Sequence, residues 1–127
     1  MAAPAASSTR PADAGVTAQI TDEHMHEMLS ASRTYTAMLL RLTPKAGEPE
    51  AARVIWEHGR RNLMLRAAGT LPIVCPAVDE SDWAGIAVFD ASPEEVERIM
   101  ADDPGIRAGV FTCELHPVFG FPGSALA

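Results

Sequence analysis

The segment LPIVCPAV, residues 71 to 78, is apolar throughout and rich in β-formers, but Pro72 and Pro76 cannot donate to a strand ladder. It belongs at the edge of a sheet or carries bulges, so other segments supply the centre. YTAMLLRL (35–42) is dominated by aromatic and apolar residues, with no breaker until TPKAGEP. WAGIAVFD (83–90) alternates cleanly, which places Trp83, Gly85, Ala87 and Phe89 on one face. A last strand is read over RAGVFTCELHPV, 107 to 116, before FGFPGSALA trails off in Gly and Pro.

Two helices fall between these strands. The first runs from 49 to 68, with Pro49 suited to its first turn and Gly69 as its C-terminal cap. On a wheel of about 100° per residue, Ala51, Val54, Ile55, Trp56, Gly59, Leu63 and Leu65 spread over a broad apolar arc. Arg53, Glu57, Arg60 and Arg61 cluster opposite. His58 lies inside the apolar arc. The second helix, ASPEEVERIMADDP, has Ser92 as cap, Pro93 at its first position, Glu95 closing a capping box, and Val96, Ile99 and Met100 as its apolar stripe. Pro104 ends it. A further short amphipathic helix opens the ordered chain at TDEHMHEMLSAS, capped by Thr21, with Met25, Met28 and Leu29 on one face.

From residue 35 the order is β-α-β-β-α-β. This is the ferredoxin-like arrangement, an α+β fold with an antiparallel sheet and both helices on one face. The first and third strands are central in it and the second and fourth are edges, where the prolines of 71–78 are tolerated. The chain divides into a disordered tail (1–20), an N-terminal helix and linker (21–34), the ferredoxin-like domain (35–117) and a C-terminal tail (118–127).

Composition limits the partners. The net charge is −7 over 127 residues, and nucleic acid or an anionic membrane surface requires a basic footprint. No apolar run approaches the ~20 residues of a membrane span. The opening stretch contains Pro4, Pro11 and Asp13 and lacks the contiguous apolar core of a signal peptide. Cys75 and Cys113, the only cysteines, are not in C-x-x-C spacing and point to a reducing cytoplasm. Placed on opposite sheet edges, they are not expected to bond. A domain this small buries a thin core, and both central strands carry apolar residues on both faces. Covering the sheet face that has no helices predicts a two-fold homodimer.

His58, Gly69, the pair Asp103–Pro104 and Gly109 together resemble the YCII-related family. Its pattern has a histidine on a helix, a glycine eleven residues later, a short apolar strand, a helix ending in Asp-Pro, and a glycine opening the last strand. DDPGIRAGVF and ELHPV fit that pattern, and the resemblance covers residues 35 to 117. It implies a ferredoxin-like fold paired into a dimeric α/β barrel, and a histidine–aspartate pair in a small apolar pocket. It also implies that His58 and Asp103 are the catalytic pair. The sequence has no phosphate loop, no G-x-S-x-G and no dinucleotide fingerprint, so no cofactor and no metal are expected. A dehydrochlorinase acting on a chlorinated hydroquinone is among the family's few described members. This chain has Cys75-Pro76 where the family has Gly-Pro, which places a side chain at the pocket mouth.

The chemistry such a pair supplies is proton transfer. An imidazole takes and returns a proton near neutral pH, and a carboxylate on one ring nitrogen fixes the tautomer and favours the charged form. An apolar pocket suits an aromatic or enol-type substrate. The expected function is a cofactor-independent lyase- or isomerase-like enzyme; the alternative is a non-catalytic ligand-binding or interaction module on the same fold. A cofactor-free oxygenase has only one histidine in its favour. The structural alternative for the pair is a buried histidine satisfied by a carbonyl and an aspartate that merely ends a helix. The two groups are expected to meet because their helices lie side by side, following central strands read as parallel neighbours. His24 and His26, two apart, diverge on a helix and do not chelate one metal. His116 reads as an exposed residue at the end of an edge strand, and Arg66 as a cation interrupting the apolar arc.

Overall fold

The computed structural model describes residues 18–127, so most of the expected tail lies outside the described residues. The chain runs α1 (Asp22–Ser30), β1 (Arg33–Leu42), α2 (Ala51–Ala67), β2 (Ile73–Pro76), β3 (Trp83–Phe89), α3 (Pro93–Ala101), α4 (Pro104–Arg107) and β4 (Phe111–Gly120). The strands form one sheet in the order β2-β3-β1-β4, and every neighbouring pair is antiparallel. The fold is the expected α+β ferredoxin-like βαββαβ with an extra N-terminal helix. β1 and β3 are therefore antiparallel, not parallel as read from the sequence. Their helices still share a face because each crossover returns over the intervening strand.

The proline-bearing segment is an edge strand, shortened to four residues that follow Pro72 and end on Pro76. β1 alternates as expected. Thr36, Met38 and Leu40 are buried under the helices, and Tyr35, Ala37 and Leu39 line the opposite face, paired with Val118, His116 and Glu114 of β4. β3 departs from the clean alternation. The register skips Ala84, so Leu40 pairs with Gly85 but Arg41 pairs with Trp83. This bulge moves Trp83 off the face it was expected to share with Gly85, Ala87 and Phe89. Its ring lies 4.0 Å from the Arg41 guanidinium carbon, a cation–π contact.

The core gathers Met38, Leu40, Ala87, Phe89 and Phe111 from the sheet, Ala51 from α2, Val96 and Met100 from α3, and Leu71 and Val110 from the connections. Thr36, fully buried, donates its hydroxyl to the Ala91 carbonyl at 2.7 Å, so the polar group beneath α3 is satisfied.

Three boundaries differ from the sequence reading. α2 begins at Ala51, with Pro49 ahead of it, because a 3-10 turn (Pro44–Gly47) and a turn from Glu48 to Ala51 precede it. Ser92 caps α3 as expected, accepting from Glu95 N–H at 3.2 Å, but the helix stops at Ala101. Asp103 then caps a separate one-turn helix, α4, and Gly109, at φ +72°, redirects the chain. That extra turn displaces β4 from 107–116 to 111–120, into the stretch assigned to the C-terminal tail. Gly69, at φ +83°, follows α2 in the left-handed conformation of a helix C-terminus.

Cys75 and Cys113 are free thiols on the two edge strands. Among the described residues no helix is long and apolar enough to cross a membrane.

Candidate active site

α2 packs with Ala51, His58 and Asn62 buried and Val54, Ile55 and Leu65 against the core. On the helical wheel this arc centres on His58. Three residues of the helix depart from the sequence reading. Arg61, assigned to the solvated cluster, turns inward and donates from Nη2 to the Ile99 carbonyl of α3 at 2.7 Å. Trp56 and Leu63, assigned to the buried arc, are 70% and 63% exposed and wall a groove instead.

The pair meets. His58 Nδ1 lies 2.9 Å from Asp103 Oδ1 and 2.8 Å from Oδ2, across 45 positions of sequence. Asp103 is wholly buried and His58 nearly so. Asp103 does not merely end a helix. As the cap of α4, its Oδ2 accepts from Gly105 N–H at 2.9 Å and Ile106 N–H at 3.2 Å. Arg61 Nη1 stands 3.8 Å from Oδ1. A buried carboxylate is costly unless paired and hydrogen-bonded, and this one has two amides, an imidazole and a nearby guanidinium. With the carboxylate against Nδ1, that nitrogen carries the proton and Nε2 is the basic one.

Nε2 does not face empty space. Asn62 Nδ2, one helical turn on, donates to it at 3.1 Å, while Asn62 Oδ1 is buried without a hydrogen-bond partner. Asn62 was missed in the sequence. Its i+4 spacing from His58 on the same face was the available signal. Phe111 packs against the imidazole at a centroid distance of 4.5 Å. Gly105 lets it do so: a Cβ there would lie 2.3 Å from the Phe111 ring.

His58 and Asn62 border a groove of about 1030 Å3 between α2 and the β2–β3 hairpin. Met38, Leu40 and Phe111 lie along its floor and Trp56, Leu63 and Val74 along its walls. Cys75 pairs with Ile86, so its side chain falls on the helix-free face and does not intrude at the groove mouth as expected. Nearby, β2 and β3 approach so closely that a Cβ on Gly85 would lie 2.7 Å from the Cys75 carbonyl oxygen. Arg66 is exposed on the groove side, and no carboxylate pairs with it among the described residues. The remaining histidines lie elsewhere. His116 is exposed on the helix-free sheet face beside Glu114, and His24 lies 3.9 Å from Glu27 on α1. Among the described residues no three His, Cys, Asp or Glu side chains cluster as a metal site. The Cys113 thiol is pushed up by burial and further by the carboxylates of Asp103 and Glu97, so it is held protonated and not poised as a nucleophile.

Fold and site define a ferredoxin-like α+β domain with a buried His–Asp pair opening on an apolar groove. No protein-family profile matches the chain, and no curated protein sequence does. Among solved structures the chain is similar to the 5-chloro-2-hydroxyhydroquinone dehydrochlorinase TftG of Burkholderia phenoliruptrix AC1100, determined in complex with 2,5-dihydroxybenzoquinone. The TM-score is 0.46 at 17% identity, over 65% of this chain and 90% of that one.

Proposed function

We propose that the protein is a small cofactor-independent enzyme that moves a proton on a small organic, aromatic or enol-type substrate, as a lyase or isomerase does. The observation that carries this reading is the buried His58–Asp103 pair at the border of the apolar groove. In the reaction, Nε2 takes a proton from a substrate C–H or O–H, Asp103 balances the imidazolium, and the proton returns to the substrate or its leaving group. A substrate seated against the apolar walls displaces water and strengthens that electrostatic pairing. Chlorinated hydroquinones are the first compounds to test, because the resemblance of His58, Gly69, Asp103–Pro104 and Gly109 to the YCII pattern names that class.

One observation favours a non-catalytic ligand-binding module on the same fold: Asn62 occupies the lone pair that a base needs free. Native mass spectrometry of the purified protein, followed by a crystal structure with any co-purifying molecule, separates the two. A ligand in contact with His58 Nε2 supports the enzyme. A groove closed by its own side chains supports the module and removes the proposal.

We further propose that the protein is a homodimer through the helix-free sheet face. Tyr35, Ala37, Leu39, Ile86 and Val88 form an apolar patch there, with Ile86 52% exposed, and patches of that kind mark interfaces.

A further inference from the structure

We infer that Asn62 is a positioning residue whose carboxamide follows the proton on His58, donating to the bare Nε2 and turning over to accept from the protonated one. This rests on reading His58 as the proton carrier. Asp103 holds both oxygens within 2.9 Å of Nδ1, so Nδ1 keeps its hydrogen in either charge state. Any change of protonation therefore takes place at Nε2. The group that faces Nε2 is the Asn62 amide, at 3.1 Å through Nδ2. An amide is the one uncharged side-chain group that offers a fixed donor and a fixed acceptor on the same carbon. A half-turn about its last torsion exchanges them.

The state of the other amide atom points the same way. Oδ1 is buried and has no partner while Nδ2 is engaged, and a buried unpaired acceptor costs about 1–3 kcal/mol. Protonation of Nε2 creates the donor that Oδ1 lacks. Because Nε2 has a single in-plane position for a partner, the amide swings aside each time the substrate delivers or recovers the proton. Proton and electron count are unchanged throughout: one N–H bond forms as one substrate C–H or O–H bond breaks, and the reverse step restores both.

The charged groups around the ring do not compete for this role. Asp103, from the cap of α4, is committed to Nδ1 and two backbone amides. Arg61, on α2, lies behind Asp103 and is anchored on Ile99. Cys113 on β4 is held protonated. The strands beneath the groove present Met38, Leu40 and Ala87, none of which titrates.

The test is an NMR titration of the full-length 15N-labelled chain. The inference predicts a through-hydrogen-bond coupling between Asn62 Nδ2 and His58 Nε2 while the ring carries one proton. On addition of the second proton the coupling disappears, and the new Nε2–H exchanges slowly with water. In Asn62→Leu the coupling is absent and exchange of that Nε2–H is faster by about tenfold or more. Absence of the coupling in the singly protonated ring overturns the inference, as does an Nε2–H that exchanges freely in the wild-type protein. If Asn62→Leu fails to fold, the wild-type titration alone decides. The readout needs no turnover: an Nε2–H that exchanges freely in the wild-type protein defeats this inference, and loss of activity in His58→Ala measured beside it leaves the proposed function standing.

Discussion

Asp103 serves the backbone and the site with one carboxylate. It caps α4 through Gly105 and Ile106 and orients His58 through both oxygens. Asp103→Ala removes the cap and leaves buried donors unpaired, and is expected to lower stability by about 3 kcal/mol in urea unfolding. Asp103→Asn keeps the volume and, on a substrate the wild type converts, is expected to slow turnover by about 10²–10⁴-fold with little change in KM. Gly105→Ala drives a methyl group into Phe111 and so presses the ring toward His58. Overpacking of this kind costs about 1–3 kcal/mol, measurable by the same unfolding curve. Cys113 sets a pH limit. Its folded value is raised above the ordinary 9.0, so the stability that its neutral form contributes is complete below that pH and is lost as pH climbs through the higher folded value. Iodoacetamide is expected to label Cys113 more slowly in the native protein than in urea at pH 8, with the gap closing at higher pH. Equal rates would mean that the thiol is not shielded.

At the scale of elements, legibility followed the locality of the cause. Ser92, Pro93 and Glu95 announce α3, and Thr21 announces α1, because a cap and its helix lie within one turn of sequence. The two prolines placed β2 at an edge because a missing N–H is a property of the residue itself. What failed depended on partners far away in the chain. The skipped register at Ala84, which turns Trp83 to the other face, is set by pairing with β1. Arg61 is a different case. Three residues from His58, it falls about 60° from it on the wheel and belongs to the inner arc, as Trp56 and Leu63, near the opposite side, do not. The Ile99 carbonyl only receives its guanidinium. The site divides in the same manner. His58 was visible from its place on the wheel and Asp103 from a family resemblance. Asn62 looked like an ordinary polar helix residue, since its partner is a ring nitrogen whose state depends on Asp103. α1 is well capped but buries none of its nine residues, and a helix that short is marginal on its own. Hydrogen exchange at low protein concentration is expected to release the α1 amides well before those of β1, which is hydrogen-bonded on both sides. Equal protection would mean that α1 has a partner surface.

At the scale of the whole molecule, the sheet separates two tasks. One face carries the helices, the core and the His58–Asp103 groove; the other, apolar and free of helices, is the surface proposed to pair two copies. Light scattering is expected to give a dimer mass, and Ile86→Glu to give a folded monomer, since a buried unpaired charge at a sheet interface costs several kcal/mol. A monomeric wild-type protein would remove the dimer without touching the site, whose named residues all come from one chain. The site itself is tested most directly by turnover. A panel led by chlorinated hydroquinones is assayed for proton loss or chloride release with the wild type and with His58→Ala of matched circular dichroism and unfolding midpoint. The account predicts that on the compound the wild type converts, His58→Ala loses at least about 10²-fold in kcat. A folded His58→Ala protein that converts the same compound at a rate within a few-fold of wild type would contradict it.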